Sequence, residues 1–245
     1  MCYLQRMAYY RSSGGPSIGL GGRITPGIKI LIIVNVSVFA LQVLADYWAR
    51  PGDIQHLFGL TPEYVVERLW VWQLVTYMFL HSTAWISHLL LNMLMLWMFG
   101  TDLERQWGTR PFLRYYFVCG IGAGILTCFS FYHSTTIGAS GGVFGVMLAY
   151  GLTFPNRQIL LWFLFPMRAI TFVVLCIGIE LLALRGLRDG VAHFAHLGGM
   201  LFGYLYLKRA WHVRRFVDEV RWRFRRRRFR VMNKPDRDDT QYPFH

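Results

Sequence analysis

Ser140 stands in the run Ile137-Gly138-Ala139-Ser140-Gly141-Gly142-Val143-Phe144-Gly145, and His196 in Ala195-His196-Leu197-Gly198-Gly199-Met200-Leu201-Phe202-Gly203. A serine hydroxyl becomes a strong nucleophile when an imidazole takes its proton, and attack on a peptide carbonyl also needs donors for the developing oxyanion. His88 and Asn92 share one face of a helix at a spacing of one turn, and both side chains can donate. A serine at the start of a helix adds free backbone N–H groups and the positive end of the dipole. Together these residue types spell serine hydrolysis: Ser140 as nucleophile, His196 as base, His88 and Asn92 as oxyanion donors.

The elements that must position them are written in glycine. Gly138, Gly141 and Gly142 permit unusual backbone angles and close approach around the serine. His196, Gly199 and Gly203 share a helical face, and Gly141 and Gly145 offer a small-residue pair on the Ser140 helix. Small-xxx-small seams let two membrane helices pack backbone to backbone, which is what would bring imidazole and hydroxyl together.

The chain as a whole is too oily for a soluble globule, with 54% hydrophobic and 16% charged residues in 245. Six apolar stretches of spanning character occur at 28–48, 86–103, 111–132, 140–154, 169–184 and 193–210. The fold class expected is an all-α membrane protein with six transmembrane helices. Its organisation is a cytoplasmic tail at 1–27, a core at 28–210 with an outer interfacial loop at about 49–85, and a basic cytoplasmic tail at 211–245. Placing the N-terminus in the cytoplasm puts 22 of the 26 Lys and Arg inside, leaving Arg50, Arg68, Arg185 and Arg188 outside. With that topology His88, Asn92, Ser140 and His196 all fall in the outer half at similar depth. The expected location is a bacterial inner (plasma) membrane, with both termini cytoplasmic and the site opening outward.

Residues 1–27 lack a continuous apolar core, so the first span is expected to act as an uncleaved insertion signal. Arg6, Arg11 and Arg23 without an acid leave an organellar transit peptide as the alternative. Tyr47, Trp48, Trp70, Trp72, Tyr77 and Trp85 are expected in an outer aromatic belt, and Trp107, Tyr115, Tyr116, Tyr206 and Trp211 in an inner one. The run from Arg221 to Arg230 alternates cations with aromatics. Just inside a last span it suits anionic lipid headgroups better than nucleic acid. Cys2, Cys119, Cys128 and Cys176 are scattered and read as packing residues.

The chain resembles the rhomboid family of intramembrane serine proteases. The resemblance rests on Gly138-Ala139-Ser140-Gly141, on Ala195-His196 with Gly199 and Gly203, and on His88 with Asn92, across residues 28–210. Glu104-Arg105-Gln106-Trp107-Gly108 is similar to the family's Glu/Arg-containing link, and its plain reading is a structural brace. The resemblance implies a six-helix core, a Ser140–His196 dyad without a carboxylate, and an oxyanion site of His88, Asn92 and the Ser140 backbone N–H. It also implies an aromatic, Phe144, against the His196 ring, no cofactor, and transmembrane protein substrates cut within or beside a span.

Several other readings compete. Gly-x-Ser-x-Gly is also the nucleophile elbow of soluble α/β-hydrolases, but such apolar spans do not suit alternating strands and helices. His88, His193 and His196 invite a metal, yet no His-Glu-x-x-His occurs and no acid neighbours them in sequence, so no metal is expected. Glu180 could be a third triad member, but near the outer end of the fifth span it is expected to reach headgroups or line the water path. His56, His81, His133 and His212 are assigned nothing, His81 and His133 being external or interfacial. A catalytically inactive rhomboid-like protein that binds or escorts spans is the alternative function. A transporter would need charges paired through the bilayer centre.

Overall fold

A computed structural model describes residues 22–48, 50–129, 132–161, 165–186 and 192–209. The fold below is that of the compact unit ending at Tyr206. The tail at 211–245, with Arg221–Arg230 and Trp211, and the transit-peptide arginines Arg6 and Arg11 lie outside the described residues.

Helix α1 spans Pro26–Trp48. Three short helices follow, α2 at Asp53–Phe58, α3 at Pro62–Glu67 and α4 at Gln73–Thr76, then a 3-10 turn at Tyr77–Phe79. The longer helices α5 (Ile86–Trp107), α6 (Thr109–Cys128) and α7 (Ser140–Thr153) come next. Strands β1 (Gln158–Leu161) and β2 (Phe165–Arg168) precede α8 (Ala169–Gly186), and α9 covers residues 192–209. By length and composition α1, α5 and α6 could each cross a membrane, whereas α7 and α8 are apolar but shorter.

The expectation of an all-α chain is corrected by the hairpin. β1 and β2 pair antiparallel in the register Gln158↔Arg168 to Leu161↔Phe165. The cause is local: Pro166 has no N–H and obstructs a helix, while the Ile-Leu-Leu run favours extended backbone.

α7 sits at the centre. Ten of its residues, from Gly141 to Gly151, are buried, and its apolar character runs all round, as a helix enclosed by others requires. The outer helices show the reverse pattern. Ile30, Ile33, Leu41 and Leu44 on α1, and Val174, Ile179 and Leu182 on α8, are exposed, while Asn35 and Gln42 of α1 are buried. Apolar side chains outward and polar ones inward is the arrangement that hydrocarbon selects.

Gln42 illustrates the inward pattern. Its side-chain nitrogen donates to His81 O (3.1 Å) and its oxygen accepts from His81 N–H (3.0 Å), clamping the end of the 50–85 loop to α1. His81 is therefore not external, as expected from the sequence, but wholly buried. Burial, then the neighbouring His88 ring, pushes its pKa down to about 4. The loop is likewise more than an interfacial skirt. Leu60 pairs with Thr136, Thr61 Oγ1 meets Thr135 Oγ1 at 2.8 Å, and the Gly138 N–H donates to Tyr77 O at 2.9 Å. The loop thus holds the segment that leads into Ser140.

Some aromatics expected at the interfaces are core instead. Tyr77 is buried and donates to Gly120 O at 2.6 Å; Tyr115 is buried and donates to Gly145 O at 2.7 Å; Tyr116 is buried as well. Tyr47, Trp48 and Trp85 do face outward. A phenol that finds a backbone carbonyl can be buried without loss, and composition alone does not show which tyrosines have one.

At the other end, Glu104 is 2% exposed and collects four donors. They are the Thr25 hydroxyl, Gly27 N–H (2.7 Å), Ile28 N–H (2.9 Å) and Thr109 Oγ1 (2.6 Å). Its carboxylate caps the start of α1, where backbone N–H groups lack helical partners. Arg105 donates to Arg23 O (2.6 Å) and pairs with Asp102, which also pairs with Arg157 at 2.9 Å. These contacts make the link a brace.

Glu104→Ala strands the Gly27 and Ile28 N–H groups in a dry place and should cost about 3 kcal/mol. A lowered thermal midpoint in detergent is the expected readout. A methyl at Gly199 would overlap the Gly141 carbonyl, whereas one at Gly178 meets nothing within 4 Å. Gly199→Ala should therefore destabilise by about 1–3 kcal/mol. Gly178→Ala should be neutral or mildly stabilising, as helix propensity favours alanine, and equal midpoints for the two would contradict this seam.

Candidate active site

Ser140 is the first residue of α7 and half-buried. It follows a tight turn in which Gly138 has φ +127°, a conformation that side chains disfavour. A methyl at Gly138 would also come 2.8 Å from His88 Nε2 and 3.7 Å from Ser140 Oγ. The imidazole and the hydroxyl therefore share the space beside Gly138, so this glycine is required for backbone and room alike.

His88 and Asn92 lie in the first turns of α5. The Ser82 N–H donates to His88 Nδ1 (3.4 Å), and Asn92 Nδ2 donates to His88 O (2.8 Å). With Nδ1 accepting, the neutral ring carries its proton on Nε2, the atom nearest Gly138. That leaves a donor N–H on the edge of the ring beside Gly138. The second nitrogen-bound hydrogen of Asn92 remains for a further acceptor.

α9 meets α7 at glycine. A methyl on Gly199 would overlap Gly141 O, one on Gly141 would lie 3.6 Å from Ala195 O, and one on Gly145 would lie 3.1 Å from Gly199 O. Residues next to Ser140 and next to His196 thus touch through their main chains. Gly203, farther along α9, faces Tyr115 and Cys119 of α6. The seam is therefore shared by three helices, with the Tyr115 phenol bonded to Gly145 O between them.

The His196 ring stacks on Phe144 with centroids 4.1 Å apart and planes 6° from parallel. Among the described residues no hydrogen bond joins Ser140 Oγ to His196, a spacing that such pairs often show before substrate tightens them. What fixes the ring is Glu180. Its Oε1 lies 3.0 Å from His196 Nδ1, and its Oε2 lies 2.5 Å from His193 Nδ1. Glu180 therefore does not reach for headgroups, contrary to expectation, and His193 is its second partner. An acid in an apolar helix near the depth of two histidines was the available signal. It was misread because helix-to-helix rotation does not appear in spacing.

One donor atom each from Glu180, His193 and His196 lie within 4.8 Å of one another, so these three could also hold a metal ion. His56 reaches Tyr64 OH (3.0 Å), and His133 reaches Glu63 (3.1 Å) at the surface, both remote in role from this centre.

The sequence matches the Rhomboid domain over residues 68–212, which contain every residue of this site. It is 31% identical over 207 residues to Rhomboid protein 1, mitochondrial, of Saccharomyces cerevisiae, covering 80% of this chain and 56% of that one. With RHOMBOID-like protein 2 of Arabidopsis thaliana it shares 34% over 185 residues, covering 74% and 56%. With Rhomboid protease GluP of Bacillus subtilis it shares 32% over 149 residues, covering 60% and 27%. The chain thus spans about half the length of the first curated relatives it matches, at 56%, 50% and 56%. Two among the relatives carry mitochondrial names, so the resemblance does not select a bacterial membrane. A match to the Rhomboid domain over more than half of the chain, together with helices long and apolar enough to cross a membrane, places this chain in the rhomboid family.

Proposed function

We propose that the chain is an intramembrane serine endopeptidase that cuts transmembrane proteins within or next to a span. The observation that carries this reading is the Gly141–Gly199 contact, which sets the Ser140 and His196 backbones against each other while His88 stands over Gly138. Two relatives are proteases by name, Rhomboid protease GluP and Rhomboid-like protease 3 of Toxoplasma gondii.

In this reading Ser140 Oγ attacks the scissile carbonyl as its proton passes to His196 Nε2. The oxyanion is met by His88 Nε2–H, Asn92 Nδ2 and the N–H at the start of α7. Collapse breaks the C–N bond, with the proton going from His196 to the leaving amine. Water then repeats the sequence on the acyl-enzyme, and Ser140 regains its proton. Phe144 keeps the imidazole in plane throughout.

The membrane placement belongs to the same proposal: six spans formed by α1, α5, α6, α7, α8 and α9, the N-terminus inside and the site opening outward. α7 has 14 residues. At 1.5 Å per residue it rises about 21 Å, less than a hydrocarbon core of roughly 30 Å. If α7 reaches the inner face, Ser140 starts below the outer one. Irregular backbone at that depth must be covered by protein, and the 132–139 segment is held by Leu60 and Tyr77. The lysine and arginine asymmetry supports the orientation, and the basic tail is proposed to bind anionic headgroups.

The test is cleavage of a reporter transmembrane protein by the full chain in lipid vesicles. Ser140→Ala and His196→Ala should each lower the rate by at least about a thousandfold, with thermal midpoints close to wild type. Full cleavage by either variant would remove the assignment. Binding of the reporter by the wild type without cleavage would favour the inactive, span-escorting reading.

A further inference from the structure

Glu180 is the unexplained group. It sits in an apolar helix, flanked by exposed Ile179, Leu181 and Leu182, yet its own side chain is 9% exposed. An ionised carboxylate in such a place is costly unless each oxygen is paired. Both oxygens are: Oε2 with His193 Nδ1, 2.5 Å, and Oε1 with His196 Nδ1, 3.0 Å. The His193 and His196 rings meet nearly at right angles, 89°, so the two nitrogens approach the two oxygens from different sides.

We infer that Glu180 is the positioning residue for His196, completing a Ser140–His196–Glu180 relay in which His193 anchors the carboxylate. This rests on the protease reading above. With Nδ1–H donated to Oε1, the neutral His196 ring has its lone pair on Nε2, the tautomer a base for Ser140 must have. Phe144 fixes the plane of the ring and Glu180 fixes its rotation within that plane. Two contacts thereby remove the freedom that a lone imidazole on a helix would retain.

The same contact acts on the charged state. When His196 takes the Ser140 proton, the imidazolium forms beside an anion in a poorly screened site, and the pair is stabilised just as the oxyanion appears. Glu180 itself takes up no proton: that proton moves from Ser140 to Nε2 and on to the leaving amine. His193, by holding Oε2, keeps the carboxylate from swinging toward water. Cys176 precedes Glu180 by one turn on α8 and offers a thiol, not a second carboxylate.

The experiment compares Glu180→Gln, Glu180→Asp and Ser140→Ala by reporter cleavage in vesicles, with the folded fraction measured by thermal midpoint. The proposal expects Glu180→Gln to lower kcat on the order of 100-fold or more, since a carboxylate-to-amide change in a Ser-His-Asp site disturbs the tautomer. KM should change little. Glu180→Asp, which keeps the charge, should recover much of the kcat lost in Glu180→Gln. A merely structural role would lower the amount of folded protein and its thermal midpoint, without a fall in kcat per folded molecule that the conservative variant rescues.

If Ser140→Ala is inactive while Glu180→Gln retains the wild-type kcat, the Glu180 assignment is overturned and the protease reading stands. If Ser140→Ala cleaves normally, the protease reading itself falls. Chelation of the wild type abolishing cleavage, with stoichiometric zinc lost from the purified protein, would show that these three side chains are a metal centre and would overturn the proposal.

Discussion

The Gly141–Gly199 contact is the constraint on which the site depends. Two helices can come this close only where neither presents a Cβ, and here a methyl on one would occupy the carbonyl of the other. Lipid tails are as apolar as leucine, so helices in a membrane gain little from burying oil against oil. Close main-chain packing and polar contacts must supply the specificity. The cross-contact of Tyr115 OH with Gly145 O serves that same junction. Everything proposed for Ser140 and His196 follows from where this junction puts their backbones.

Two carboxylates show the same logic from the polar side. Glu104 takes four donors where α1 begins, and Glu180 takes two imidazoles near the opposite end of the bundle. In each case a charge in a dry setting is tolerated because its oxygens are filled, and in filling them it locks two elements together. One lock is architectural. The other holds a ring that the proposed chemistry needs.

Much of this was legible in the residues. Each of the six apolar stretches overlaps a helix, three of them long and apolar enough to cross a membrane, and Ser140 does begin a helix, because apolar length and glycine punctuation are local signals. The seam at Gly141 and Gly199 was readable from spacing, whereas the packing of Gly203 against Tyr115 and Cys119 of α6 depends on helix rotation, which spacing does not encode. Tyr77, Tyr115 and His81 were misplaced for a related reason. A polar group reads as interfacial until its partner is known, and Gly120 O and Gly145 O are backbone atoms, invisible in a string of side chains. Glu180 suffered most, since its partners lie 13 and 16 residues away on the next helix. The hairpin at 158–168 was lost because a short apolar run without periodicity fits a linker as well as a strand.

Covalent capture addresses the central claim most directly. The full chain in lipid is exposed to a serine-reactive fluorophosphonate and the adduct is located by peptide mass spectrometry. A Ser140 activated by His196 should carry the adduct in the wild type and lose it in His196→Ala, while the protein stays folded. An unmodified Ser140 under conditions that support cleavage, or equal modification with and without the imidazole, would contradict the account.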